Sequence, residues 1–165
     1  MIQNIENMTV AIVGPAFYMT DSNLGTEIDE HDIVVRINRS YEITKESKKD
    51  VGESTDVLYS CLIEKPDNAG KLCIEKLNDH NIKLICTPPF SDMKGIANTN
   101  SLHPMTDIEN LKKINKEIPI RIIDFDINNE IATKINCRPN TGFLAIFDML
   151  RMKPKKLSIY GFSFY

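Results

Sequence analysis

Two turns in this 165-residue sequence carry residue types suited to phosphate and sugar recognition. One lies inside VAIVGPAFYMTDSNLGTEIDEHDIVVRIN, residues 10–38, where Gly14-Pro15 follows one apolar run and Asn38 ends another. The second lies inside RPNTGFLAIFDML, residues 138–150, where Asn140-Thr141-Gly142 precedes apolar residues at helical spacing. Free amides at a turn or helix N-terminus favour a phosphate, and an Asn amide both donates and accepts, as a sugar hydroxyl or base edge requires. Asn140 or Thr141 also suits the N-cap position. A plainer alternative stays open on local features, with Gly14 a turn glycine and PNTG a helix start. Neither GxGxxG nor GxxxxGK[ST] is present to decide between the two.

Other chemically capable residues are sparse. Cys61, Cys73, Cys86 and Cys137 form no CxxC pair and sit mostly in apolar runs such as LICT, which points to buried free thiols rather than a metal site or a disulfide framework. No metal ligand set is expected. Asp29, Asp32 and Arg36 belong to a segment that reads as buried strand, where charges persist only when paired. They are therefore expected as scaffold, bridged to one another or to backbone amides. His31 suits a hydrogen-bonded turn, and His103 reads as a solvated residue in a polar loop.

The elements that must position these residues follow from periodicity. Apolar, β-branched runs at 9–13, 32–37, 55–59, 82–87, 118–125 and 157–161 predict strands. Helical spacing over 66–79, 107–117 and 141–152 predicts helices, with a short helix or turn over 22–28. Residues 90–104 are rich in Asn, Thr, Ser, Gly and Asp and predict a surface loop. Strands alternating with helices predict an α/β fold, a three-layer sandwich on a mostly parallel central sheet, formed by one domain over 1–165. In such a sheet ligands bind beyond the carboxyl ends of the strands, which places both turns on one side.

Composition narrows the function classes. The chain has 20 basic and 23 acidic residues, a net charge of -3, and no basic block interleaved with aromatics, which argues against a nucleic-acid surface. No run approaches the roughly 18 apolar residues of a membrane span, and MIQNIENMTV lacks a signal-peptide layout, so a soluble cytoplasmic protein is expected.

The motifs resemble those of the family 29 sialyltransferases. Ile28, Asp29, His31, Asp32, Val34, Arg36 and Asn38 match the ID-x-HD-x-V-x-R-x-N part of the large sialylmotif, at the family's spacing from Gly14. DVGESTDVLY, residues 50–59, is similar to the segment that follows it. PNTGFLAIF with IYGFSFY behind it resembles the small sialylmotif, and the ending also resembles the bacterial family 42 sialyltransferases.

The resemblance implies a Rossmann-like, GT-A-variant nucleotide-sugar-binding domain. It would act as an inverting glycosyltransferase that moves sialic acid or a related sugar from a CMP-sugar donor to a glycan acceptor, without a metal or other cofactor. Donor-binding roles carried over by resemblance fall on Gly14, Pro15, Asn38, Tyr59, Ser60, Asn140, Thr141 and Gly142. Loop 90–104 is expected either as an acceptor-side lid or as an ordinary disordered loop, the two readings standing equal.

Three departures from the family pattern matter. Pro15 stands where the family usually has Asn, Asn140 replaces Ser, and Val10 and Lys153 stand where animal members carry paired cysteines. The family's base is a His in a later motif, so the catalytic residue is unassigned and the domain is expected to lack the C-terminal catalytic segment. The alternative reading is a catalytically incomplete CMP-binding module.

Overall fold

The structure is a computed structural model that describes residues 5–65 and 69–163. Its strands form where apolar, β-branched residues run together: β1 (Thr9–Val13), β2 (Ile33–Ile37), β3 (Val57–Tyr59), β4 (Leu84–Thr87), β5 (Ile120–Ile122) and β6 (Lys156–Tyr160). They make one six-stranded sheet in the order β5-β4-β3-β2-β1-β6. Every pairing is parallel, for example Val13 beside Arg36 and Val13 beside Tyr160. The expectation of a mostly parallel sheet is met in full.

Burial explains why these strands read as continuous apolar runs. Val10, Ile12, Val35, Ile37, Val57, Tyr59 and Cys86 pack with Leu144, Ala145 and Met149 on one face. Leu58 and Ile85 turn to the opposite face and pack with Leu77, Leu111 and Ile114, while Ala11, Val13 and Val34 meet Ile28. Alternation of two separates the faces, and helices cover both. Each such aliphatic side chain contributes about 1.5–3 kcal/mol on burial, enough for a few slips of register to unfold the domain.

The helices are α1 (Gly25–Asp29), α2 (Lys48–Val51), α3 (Ile74–Asp79), α4 (Ile108–Ile114), α5 (Phe125–Ile135) and α6 (Thr141–Arg151). Each of the first four lies between consecutive strands, and α5 and α6 together return the chain from β5 at one edge to β6 at the other. The chain therefore winds outward from β1 in one direction and comes back on its far side. The strand order reverses at β1, which is where a ligand crevice is expected.

Two predicted elements shorten markedly and one helix is new. The helix expected over 66–79 is confined to Ile74–Asp79, because Gly70 takes a left-handed φ of 68° and Cys73 is extended; residues 66–68 of that segment lie outside the described ones. The strand expected over 118–125 stops at Ile122, because the Asp124 carboxylate accepts the Asp126 N–H and caps α5. Helix α5 itself has no counterpart in the sequence reading. Its Asn128 and Asn129 weaken the helical signal, and it ends at Asn136 with φ 52°.

Candidate functional site

The carboxyl ends of the strands open into a cleft of about 830 Å³. It is built at β1 by close backbone approach. A Cβ on Gly14 would stand 2.4 Å from the Gly161 carbonyl oxygen and 2.9 Å from the Phe162 ring, so the ends of β1 and β6 meet as only glycine permits. Ala16 N–H then donates to the Gly161 carbonyl at 3.0 Å. Pro15 and Phe17 face the cleft beyond this contact, Phe17 with 91% of its surface exposed. Tyr18 closes the corner by donating its hydroxyl to the Phe162 carbonyl at 2.8 Å.

Asn38 lines the cleft just past β2, with a left-handed φ of 49°. Its Oδ1 accepts the Cys61 N–H at 3.1 Å, tying the ends of β2 and β3. That bond orients the amide and leaves Nδ2 with no partner among the described residues.

Helix α6 brings the second turn to the same cleft. Asn140 caps it by accepting the Phe143 N–H at 2.8 Å, and Thr141 and Gly142 form its first turn at the cleft wall. Their amides are among the orphan donors of a helix start. A Cβ on Gly142 would lie 2.6 Å from the Phe162 ring, so any larger residue there would have to displace that ring. The sequence-predicted Pro15, Asn38, Asn140, Thr141 and Gly142 thus share one cleft, with Gly14 shaping it from below.

Tyr59 and Ser60 sit beneath it with no exposed surface and line none of it. Ser60 Oγ accepts the Leu62 N–H at 3.2 Å. The Tyr59 hydroxyl donates to Asp148 on α6 at 2.5 Å, and the Arg121 guanidinium of β5 pairs with the same carboxylate. Burial, with the neighbouring Cys86 and Asp148, pushes the Tyr59 hydroxyl well above its ordinary range and keeps it a neutral donor. This network ties α6 to β3 and β5. Sequence reasoning passed over it, although an Asp inside the otherwise apolar FLAIFDML was a visible signal.

Among the described residues, two basic side chains line the cleft. Arg138 is exposed and has no partner among the described residues. His103 is half-buried rather than a freely solvated loop residue; its ring meets Phe90 edge-on at 5.2 Å between centroids. Its Nδ1 accepts the Met105 N–H at 3.1 Å, which places the proton of the neutral ring on Nε2. Among the described residues no Asp or Glu lines the cleft, and no group of His, Cys, Asp and Glu is arranged to hold a metal.

The acidic residues of the first motif are scaffold, as expected, with backbone partners. Asp29 accepts the Glu53 and Ser54 N–H groups, and Asp32 accepts the Thr9 N–H at 2.7 Å and its hydroxyl at 2.8 Å. Arg36 is fully buried yet pairs with no carboxylate among the described residues; it donates to the carbonyls of Ser54 and Val51 and to the Thr55 hydroxyl. Burial pulls its pKa down to about 10, against the charge of Asp29. His31 bridges α1 and β6, with Nδ1 on the Glu27 carbonyl and Nε2 on the Ser158 hydroxyl. All four cysteines are free thiols, but only Cys86 is buried and Cys137 is exposed, a correction to the buried set expected from apolar flanks.

Residues 2–165 match the model of glycosyltransferase family 29 (sialyltransferase). No curated protein sequence matches. A solved mammalian sialyltransferase in complex with Gal-β-1-3GalNAc-ortho-nitrophenol superposes with a TM-score of 0.61 at 20% identity, over 95% of this chain and 56% of that one. A second solved structure of a mammalian sialyltransferase gives a TM-score of 0.61 at 21% identity, over 95% of this chain and 55% of the other. The chain thus spans just over half the length of these structures, and its fold is theirs. With its sialylmotif residues gathered at one cleft and the family match running from residue 2 to residue 165, the chain belongs to glycosyltransferase family 29, the sialyltransferases.

Proposed function

We propose that the cleft binds CMP-sialic acid or a related CMP-sugar and that the protein transfers the sugar to a glycan acceptor with inversion. The observation that carries this reading is the chemistry of the lining. Arg138, the His103 Nε2–H, the Asn38 amide and the N-terminus of α6 face one space, and no carboxylate among the described residues opposes an anion there. A phosphate is stabilised by a helix N-terminus and by charge-assisted hydrogen bonds. In this reading those groups, rather than a metal ion or other cofactor, meet the charge of the leaving CMP phosphate. Pro15, Asn38, Asn140, Thr141 and Gly142 hold the donor by contact, and Gly14, Tyr59 and Ser60 hold the walls in place. The free thiols support a reducing, cytoplasmic setting. Among the described residues no helix is long and apolar enough to cross a membrane.

Inverting transfer also requires a base to take the acceptor hydroxyl proton, worth about 10²–10⁴ in rate. His103 does not fill that role as it stands, because its Nδ1 lone pair already accepts the Met105 N–H. Together with Pro15, which brings no N–H to the cleft, this favours a second reading, a CMP-binding module that is catalytically incomplete. Calorimetric titration with CMP, with UMP and NAD as controls, tests the shared core of both. Selective CMP binding, weakened about 10-fold in Arg138→Ala, is expected. Absence of CMP binding would sink both readings. Release of CMP from CMP-sialic acid, with and without a glycan acceptor, then separates enzyme from module.

A further inference from the structure

Asn128 is a polar residue buried in the wall of the cleft that none of the motifs includes. It sits on α5, the helix that the sequence pattern conceals, with 2% of its surface exposed. Its Nδ2 donates to the Gly95 carbonyl at 2.7 Å and to Asn129 Oδ1 at 3.3 Å. A carbonyl can only accept, so the Gly95 contact fixes which end of the amide is nitrogen. The neighbour is fixed in the same way: Asn129 Oδ1 accepts the Ala97 N–H at 2.8 Å and its Nδ2 donates to the Ala97 carbonyl at 2.7 Å. Both amide hydrogens of Asn128 are therefore committed. Its Oδ1 has no partner among the described residues, and it cannot be exchanged for a donor by a flip without breaking the Gly95 bond.

Although the residue is almost wholly buried, this oxygen keeps a little accessible surface at the cleft, where it is held as a fixed acceptor that a ligand hydrogen can take over from water. We propose that Asn128 Oδ1 is an acceptor-only recognition point that takes a neutral N–H or O–H hydrogen from the bound nucleotide-sugar. The Gly95–Ala97 turn locks it in place before the ligand arrives. The inference rests on the cleft binding a cytidine nucleotide. The hydrogen comes from one of three sources: the cytosine amine, a ribose hydroxyl or the transferred sugar.

The test is a cycle between protein and ligand. Affinities of wild type and Asn128→Ala are measured for CMP, for UMP, which lacks the amine, for 2′-deoxy-CMP, and for CMP-sialic acid. The ligand that supplies the hydrogen loses roughly 5- to 10-fold in the variant, while the analogue without that group loses little. A difference confined to the CMP and UMP pair assigns the amine, one confined to the deoxy pair assigns the hydroxyl, and one seen only with CMP-sialic acid assigns the sugar. Asn129→Ala is the control, since it releases the same turn without removing a cleft atom; equal losses in both variants for every ligand would overturn the proposal. Should Asn128→Ala not fold, Asn128→Ser carries the same cycle. Wild type that binds CMP while no ligand pair distinguishes the variant overturns this inference alone. Wild type that binds no cytidine ligand overturns the functional reading with it.

Discussion

Asp148 shows how one residue supports the site without entering it. The residue is 1% exposed, and its carboxylate collects the Tyr59 hydroxyl and the Arg121 guanidinium. Removing one partner of a buried charge pair costs more than the pair itself is worth, because the other charge stays desolvated. Asp148→Ala is therefore expected to lose about 3 kcal/mol of stability in urea unfolding. The double replacement Asp148→Leu with Arg121→Met should recover most of that loss. A loss under about 1 kcal/mol in the single variant would mean that Arg121 finds solvent instead. Residue chemistry was legible in the sequence only where a motif displayed it. Asn38 and the Asn140-Thr141-Gly142 turn stood out by position, whereas His103 and Asn128 lie in segments with no pattern, Arg138 beside the second turn drew no role from it, and only folding brings the three to the cleft.

At the scale of elements, α6 is the piece that both packs the core and serves the cleft. Its apolar face, Leu144, Ala145 and Met149, fills the space against β1, β2 and β3, and its first turn lies in the cleft wall. The Asn140 cap fixes where that turn begins. Asn140→Ala is expected to cost about 1 kcal/mol in thermal unfolding, and Asn140→Ser to restore most of it, because both Asn and Ser present an oxygen to the N3 amide. Equal stability of the two variants would remove the cap from the account. The same principle explains the missed helix α5. Its start signal, Asp124, falls inside an apolar run that reads as strand, so capping chemistry decided a boundary that periodicity had extended. The 90–104 segment is a loop, as composition predicts, but Phe90 N–H bonds the Ser101 carbonyl at 2.7 Å, and the two asparagines of α5 hold Gly95 and Ala97.

For the whole molecule, acid stability follows from carboxylates held by backbone amides. The Thr9 N–H lowers the pKa of Asp32, and the Asn23 N–H lowers that of Asp50. Since each folded-state value lies below the unfolded one, the folded protein binds fewer protons at intermediate pH. The stabilisation is present at neutral pH and is lost as pH falls through the ordinary aspartate range near about 4. Urea midpoints taken from pH 7 to pH 3 should fall, and the double variant Asp32→Asn, Asp50→Asn should fall less steeply. Parallel slopes for the two proteins would reject this cause. The sequence by itself determined the α/β class, the parallel strands, the sialylmotif turns and hence the family, because these depend on local period and on residues within one segment. The tertiary structure alone decided which of those residues share a space, that Tyr59 and Ser60 lie under the cleft rather than in it, and that Arg36 pairs with carbonyls. Those outcomes depend on strand order and helix docking, and contacts between residues far apart in the chain leave no periodic trace in it.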